Sequence, residues 1–244
     1  MKLEFSGERA LIVGGSCEMG IYLAQKMIET KLHPILTFRN DSGRNRILSH
    51  MKDRYEGSFS TLLLNFSDLN TIEMIPKSAY DQLTYLVDFV EGNYESLIAG
   101  ACNDSVNDYF LNNLVFRAAL LKKISRAMLA CKKGRMVYVS STAAIRQNPG
   151  QGFYAASKQA AEALYRNIGL ELGDRGVTTV SLRAGYVNSG RGKKYLLNNI
   201  NEPLNRKLLK IEHVTETILF LLSDSAEGFN AIELVMDRGL TSGK

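Results

Sequence analysis

Tryptophan is absent from this sequence, and among its 244 residues there are only three cysteines, four prolines and three histidines. Cys17, Cys102 and Cys131 cannot all pair within one chain, and they show neither C-x-x-C spacing nor nearby histidines, which argues against a disulfide scaffold and a zinc site. His33, His50 and His213 likewise lack metal-like spacing, so no metal is expected. Long apolar runs are missing too. Ala10-Leu11-Ile12-Val13 and Leu219-Phe220-Leu221-Leu222 fall far short of the ~18 apolar residues of a membrane span. The start Met1-Lys2-Leu3-Glu4-Phe5 has no basic region followed by an apolar stretch, unlike a secretory signal, and a cytoplasmic protein is expected. Thirty Lys and Arg exceed 25 Asp and Glu by a formal charge of +5. The basic pairs and triplets, Lys122-Lys123, Lys132-Lys133-Gly134-Arg135, Arg191-Gly192-Lys193-Lys194 and Arg206-Lys207, are scattered rather than gathered into one face, which argues against nucleic-acid binding.

What is present is an alternation of apolar strands and helical periods. A strand from Arg9 to Val13 ends in Gly14-Gly15-Ser16, and from Met19 onward Leu23, Ala24, Met27 and Ile28 recur with helical period. A strand at Pro34 to Phe38, a helix at Gly43 to Arg54 and a strand at Thr61 to Leu64 follow. Asp68 can cap a helix near Leu69. Leu83 to Val90 is strand-like, Asp108 to Ala130 a long helix, and Arg135 to Val139 a strand. The helix from Tyr154 to Leu172 leads into Val177 to Leu182, and Glu212 to Ser223 leads into Ile232 to Met236. Six or seven such alternations without hairpin turns predict one doubly wound α/β unit over residues 1–244, a Rossmann-type parallel sheet of about seven strands with helices on both faces. Chemistry is then expected in the loops at the carboxyl ends of the strands.

The segment Leu11 to Gly20 places small residues where the chain turns from strand to helix, so that backbone N–H groups at the helix start can cradle a pyrophosphate. Gly14, Ser16, Cys17, Met19 and Gly20 are the expected contacts. At the end of the second strand, where an acidic residue would accept hydrogen bonds from an adenosine ribose, stands Arg39; a guanidinium there suits a 2′-phosphate and points to NADP(H). Further on, Tyr154 and Lys158 are four residues apart and share one helical face. A phenol serves as an acid at neutral pH only if its anion is stabilised, which a lysine charge does. Thirteen residues before Tyr154, the strand Val137 to Ser141 ends in hydroxyls that could bind a carbonyl oxygen.

In this order and spacing, the glycine turn, Ser141, Tyr154 and Lys158 resemble the short-chain dehydrogenase/reductase family over essentially the whole chain. The run Leu62 to Asp68, the helix Asn113 to Leu129 followed by Gly134-Arg135, and the ending Ala231 to Gly239 are most similar to the 3-oxoacyl-acyl-carrier-protein reductases and related ketoreductases. The resemblance implies that Tyr154 gives a proton to a ketone oxygen, Ser141 orients the carbonyl, and Lys158 supports the phenolate and meets the nicotinamide ribose. It implies further that Asn113, preferred over Asn112 on spacing, holds a relay water, that Asn65 and Phe66 lie against adenine, that Val90 faces the nicotinamide ribose, and that Val187 and Ser189 contact the carboxamide. The substrate implied is a 3-oxoacyl thioester on acyl carrier protein, with Lys132 and Arg175 at docking positions, residues 188–209 as a lid, and assembly as a dimer or tetramer. A reductase or dehydrogenase of another small carbonyl or alcohol, or a non-catalytic partner subunit of a ketoreductase hetero-oligomer, stands as the alternative.

Three departures qualify this expectation. Glu18 replaces the middle glycine of the turn and is expected to point away from the phosphates. Leu86-Val87-Asp88-Phe89-Val90-Glu91 stands where the family shows Asn-Asn-Ala-Gly, which either reshapes the ribose wall or marks a subunit without turnover. Ala184 replaces a proline before Gly185. Cys17, within the turn, is expected at most to make the site sensitive to alkylation.

Overall fold

In the computed structural model, which describes residues 2–190, 192–193 and 207–242, the apolar runs form seven parallel strands. They are β1 (Arg9–Val13), β2 (His33–Phe38), β3 (Ser60–Leu63), β4 (Leu83–Asp88), β5 (Gly134–Ser141), β6 (Val177–Ala184) and β7 (Ile232–Met236), in the order β3-β2-β1-β4-β5-β6-β7. The central strands β1 and β4 are buried on both faces and mostly apolar; the edges β3 and β7 are less covered, with Leu63 and Val235 exposed.

Alternation along β1 divides the core. Ala10 and Ile12 face a cluster with Leu23 and Met27 of α1 (Glu18–Glu29) and Ile218 and Leu222 of the last helix, Ile211–Leu222. Leu11 and Val13 face the opposite cluster, with Phe116, Leu120 and Ile124 of the helix Phe116–Ala130 and Tyr165 of the helix Gly152–Leu172. Helices therefore cover both faces, as the alternation predicts.

The chain winds outward from β1 through β2 to β3, then returns to β4 and winds the other way. The strand order reverses between β1 and β4, and the crevice above their carboxyl ends is where such sheets bind ligands. Val13 pairs with Asp88 and Asp88 with Tyr138, so one rung joins the rim of three strands.

Boundaries differ from expectation for local reasons. β4 stops at Asp88, because the Asp88 carboxylate accepts from the Val90 N–H at 2.9 Å and bends the chain. β5 and β6 run two residues further, to the rung Ser141–Ala184. α2 (Asp41–Tyr55) starts early, its first turn capped by Asn40 accepting from Gly43 N–H at 3.1 Å. In place of one helix near Leu69 there are two single turns, α3 (Asn70–Glu73) and α4 (Lys77–Tyr80), parted at Pro76. The long helix begins at Asn103 and is not uniform: α5 (Asn103–Phe110) passes through a π turn at Leu111–Val115 into α6 (Phe116–Ala130). α7 (Gly152–Leu172) and α8 (Ile211–Leu222) complete the helices used below. No helix among the described residues is long and apolar enough to cross a membrane.

Candidate active site

The turn after β1 needs its glycines. Gly14 has φ +79°, and a Cβ there would stand 2.9 Å from Val90 Cγ2; at Gly20 a Cβ would stand 2.9 Å from the Gly15 backbone. Cys17 caps α1, its Sγ accepting from the Gly20 N–H at 3.2 Å. Burial pushes this thiol above its ordinary range, which makes it a weaker nucleophile. Ser16 abuts Gly43 of α2, which brings the turn next to the end of β2, where Arg39 is exposed. Met19 packs on the core cluster beneath α1.

Of the expected adenine contacts, Asn65 accepts from the Ser67 N–H at 3.1 Å, while the Phe66 ring stacks on Phe116 at 4.2 Å and is thereby drawn toward the core. Val90 and Phe89 lie against Gly14 and form the wall beside the turn. Val187 is buried and bridges to Leu209. Most of the expected lid, Arg191 and residues 194–206, lies outside the described residues.

Glu18 does not turn away from the crevice. Its carboxylate accepts a hydrogen bond from Ser189 Oγ at 2.9 Å, joining the first turn of α1 to the segment after β6. An expected carboxamide contact, Ser189, is thus joined to a residue of the phosphate turn that was expected to point away.

Strand geometry selects between the two hydroxyls ending β5. Ser140 points inward and donates to the buried Glu162 at 2.6 Å, which also pairs with Arg183. Ser141, on the other face, accepts from the Ala143 N–H at 3.1 Å and opens a 3-10 turn, Thr142–Ala144. From α7, Lys158 returns its ammonium to β5, donating to the Val139 carbonyl at 3.0 Å and standing 5.9 Å from the Tyr154 ring centroid. Asn113, in the π turn, is buried, whereas Asn112 is not. Its Oδ1 accepts from Gly92 N–H at 2.6 Å, its Nδ2 donates to the Tyr109 carbonyl at 2.7 Å, and its own carbonyl accepts from Arg117. Asn113 therefore clasps the chain after β4 to the α5–α6 connection.

A group missed in the sequence lies behind these residues. Asp88 and Glu91 turn into the protein and meet Arg117 of α6, which is fully buried. Arg117 pairs with Asp88 at 2.8 Å and Glu91 at 3.7 Å, and donates to the carbonyls of Val90 and Asn113. Glu91 Oε1 accepts from Ser157 at 2.8 Å and Tyr109 at 2.9 Å, and Oε2 lies 3.3 Å from Tyr138 Oη and 3.4 Å from Lys158 Nζ. Burial raises the Glu91 carboxyl, but Lys158, Arg117 and the two hydroxyls outweigh it and hold the group below the usual carboxylate range. Burial pushes the Tyr109, Tyr138 and Tyr165 phenols well up, so they remain neutral donors. Two acids three residues apart at a central strand end, Asp88 and Glu91, could have signalled a buried cation; nothing in Phe116-Arg117-Ala118-Ala119 identifies Arg117 as the partner.

Lys132 and Arg175 come together, lining a pocket of about 510 Å³ with Leu129, Asp174 and Gly176. It lies at the amino ends of β5 and β6, away from Ser141 and Tyr154 at the carboxyl ends. Among the described residues no group of three His, Cys, Asp or Glu could hold a metal.

The pattern of the short chain dehydrogenase family matches residues 8–199, and the chain belongs to that family. It is an oxidoreductase built on the doubly wound parallel sheet already described. Among curated proteins it is 24% identical over 250 residues to the 3-oxoacyl-[acyl-carrier-protein] reductase FabG of Buchnera aphidicola, covering 98% of this chain and 99% of that one. Among solved structures it matches ElxO with NADP bound, at TM-score 0.86 and 20% identity over 97% of this chain and 100% of that one. It also matches an NAD+-bound xylitol dehydrogenase, at TM-score 0.86 and 16% identity over 96% and 99%.

Proposed function

We propose that this chain is a cytoplasmic, NADPH-dependent reductase that converts a 3-oxoacyl thioester, carried on acyl carrier protein, to the 3-hydroxyacyl thioester. The observation that supports the reading is the Lys158 ammonium 3.0 Å from the Val139 carbonyl near the end of β5 and 5.9 Å from the Tyr154 ring centroid, with Ser141 two residues further along the same strand; the turn after β1, which a Cβ at Gly14 or Gly20 would obstruct, supports it too. The turn residues fit a pyrophosphate, and the exposed Arg39, the first residue past β2, fits a 2′-phosphate. When bound, the cofactor would supply the hydride. Ser141 Oγ would donate to the ketone oxygen and hold it against the Tyr154 phenol, which gives up its proton as negative charge develops on that oxygen. The Lys158 ammonium would stabilise the phenolate left behind. Lys132 and Arg175 would serve a carrier approaching the site of a neighbouring subunit in a dimer or tetramer, because they lie away from Tyr154 in their own chain.

Purified protein should oxidise NADPH, followed at 340 nm, with acetoacetyl thioester. Tyr154→Phe should cut kcat by about 10²–10⁴-fold while leaving NADPH affinity within a factor of about two. Turnover of other small ketones but of no 3-oxoacyl thioester would replace the substrate assignment. One observation favours a second reading, a non-catalytic partner subunit: the Glu18 carboxylate bound to Ser189 inside the crevice. Undetectable NADPH binding by fluorescence would select that reading.

A further inference from the structure

We propose that Glu91 is a positioning residue that acts through Lys158: its carboxylate pins the lysine ammonium beneath Tyr154 and directs the remaining N–H outward to the ligand. This rests on the dinucleotide reading of the crevice given above.

Position makes Glu91 unusual. It follows the strand end, where a side chain has free choice between the crevice and the interior, and it goes inward with its side chain only 1% exposed. An ionised carboxylate so placed is costly unless every lone pair is satisfied, and here each oxygen is engaged, by Ser157 and Tyr109 on Oε1 and by Lys158 and Tyr138 on Oε2. Ser157 and Lys158 are consecutive on α7, so the carboxylate grips the helix at two adjacent residues, one turn from Tyr154.

An ammonium has three N–H donors in tetrahedral array. The Val139 carbonyl at 3.0 Å takes one, and Glu91 at 3.4 Å draws a second in the same inward sense. The third is left on the side away from both, and the flexible four-carbon stem cannot swing it elsewhere without breaking the ion pair. The charge count also closes: Lys158 and Arg117 are matched by Glu91 and Asp88, so Lys158 is held without a net charge in the interior. Without Glu91, Arg117 would lose one of its two counter-ions and repel Lys158 out of place.

The test is a double-mutant cycle read by NADPH fluorescence. Glu91→Gln keeps the shape and removes the charge, and it should raise the NADPH Kd by about ten-fold, with kcat down by about 10²-fold wherever turnover is measurable. In a Lys158→Met background the same change should have no further effect on Kd. That double variant removes one charge of each sign and keeps the interior neutral; if Glu91→Gln alone does not fold, Glu91→Asp, which keeps the charge but shortens the reach, takes its place with the same criteria. An unchanged Kd in the single variant, or an equal loss in both backgrounds, overturns the proposal. A readout independent of any ligand is amine acylation followed by mass spectrometry: Lys158 is protected in the parent and should label about ten times faster in Glu91→Gln. If the parent binds no NADPH, the dinucleotide reading fails while labelling still decides the Glu91–Lys158 link, and unchanged labelling overturns it.

Discussion

The two sides of the crevice are built on different principles. On the β1–β2 side, shape does the work: a glycine with φ +79°, a second glycine against the turn, and a hydrogen bond from the Gly14 N–H to Thr37 at 2.9 Å. On the β4–α7 side, charge does it: Asp88, Glu91, Arg117 and Lys158 lie within 4 Å of one another in pairs, each nearly or fully buried. Shape of the first kind tolerates little but is local. Buried charge of the second kind couples β4 and the chain just after it to α6 and α7 and is stable only as a set, because desolvation of any member is compensated by the others.

Breaking the charged side should therefore cost most. Arg117→Met leaves Asp88 and Glu91 buried against each other and should destabilise the fold by about 3–5 kcal/mol, measured as a urea midpoint shift; a loss below about 1 kcal/mol would show that water reaches the cluster. Acid should act on the same side. The Glu91 carboxyl is held lower in the folded than in the unfolded state, so its contribution is fully present above the ordinary value of about 4.3 and disappears as pH falls through the lowered folded value. Urea midpoints measured from pH 7 to pH 3 should fall, and the fall should be shallower in Glu91→Gln; parallel curves would remove Glu91 from the account. The smallest effect belongs to the shape side. Glu18→Ala removes a carboxylate from beside the expected phosphates and should tighten NADPH binding by about three- to ten-fold with little change in stability. Weaker binding would instead make the Glu18–Ser189 contact a supporting strut of the site.

The same contrast explains what could be read from sequence. Strands announce themselves by local apolar runs, and a glycine turn between strand and helix has a local signature, so the seven strands and the positions of Gly14, Tyr154 and Lys158 were legible. Arg117 was not, since one arginine in a helix rich in Lys and Arg looks like surface until Asp88, 29 residues away, is brought beside it. Nor does sequence tell whether a residue just past a strand end turns in or out, which is why Glu91 was expected at the ribose wall and Glu18 away from the crevice. The π turn escaped for a related reason: helical periodicity averages over one wide turn, although that turn holds the buried Asn113.

Lys158 and Glu162 stand one turn apart on α7, and each is fastened to β5, through the Val139 carbonyl and the Ser140 hydroxyl. Mechanically, the helix is a beam clamped at two points with Tyr154 on its overhang, one turn beyond the nearer clamp. A helix that slips by a single residue turns its side chains by about 100°, so the clamps set the angular aim of the phenol as well as its depth. The bearing of the proposed acid is thus inherited from two points on β5 set back from the crevice, and a search for variants that re-aim this enzyme would begin at Ser140 and Glu162 and leave the rim of the crevice untouched.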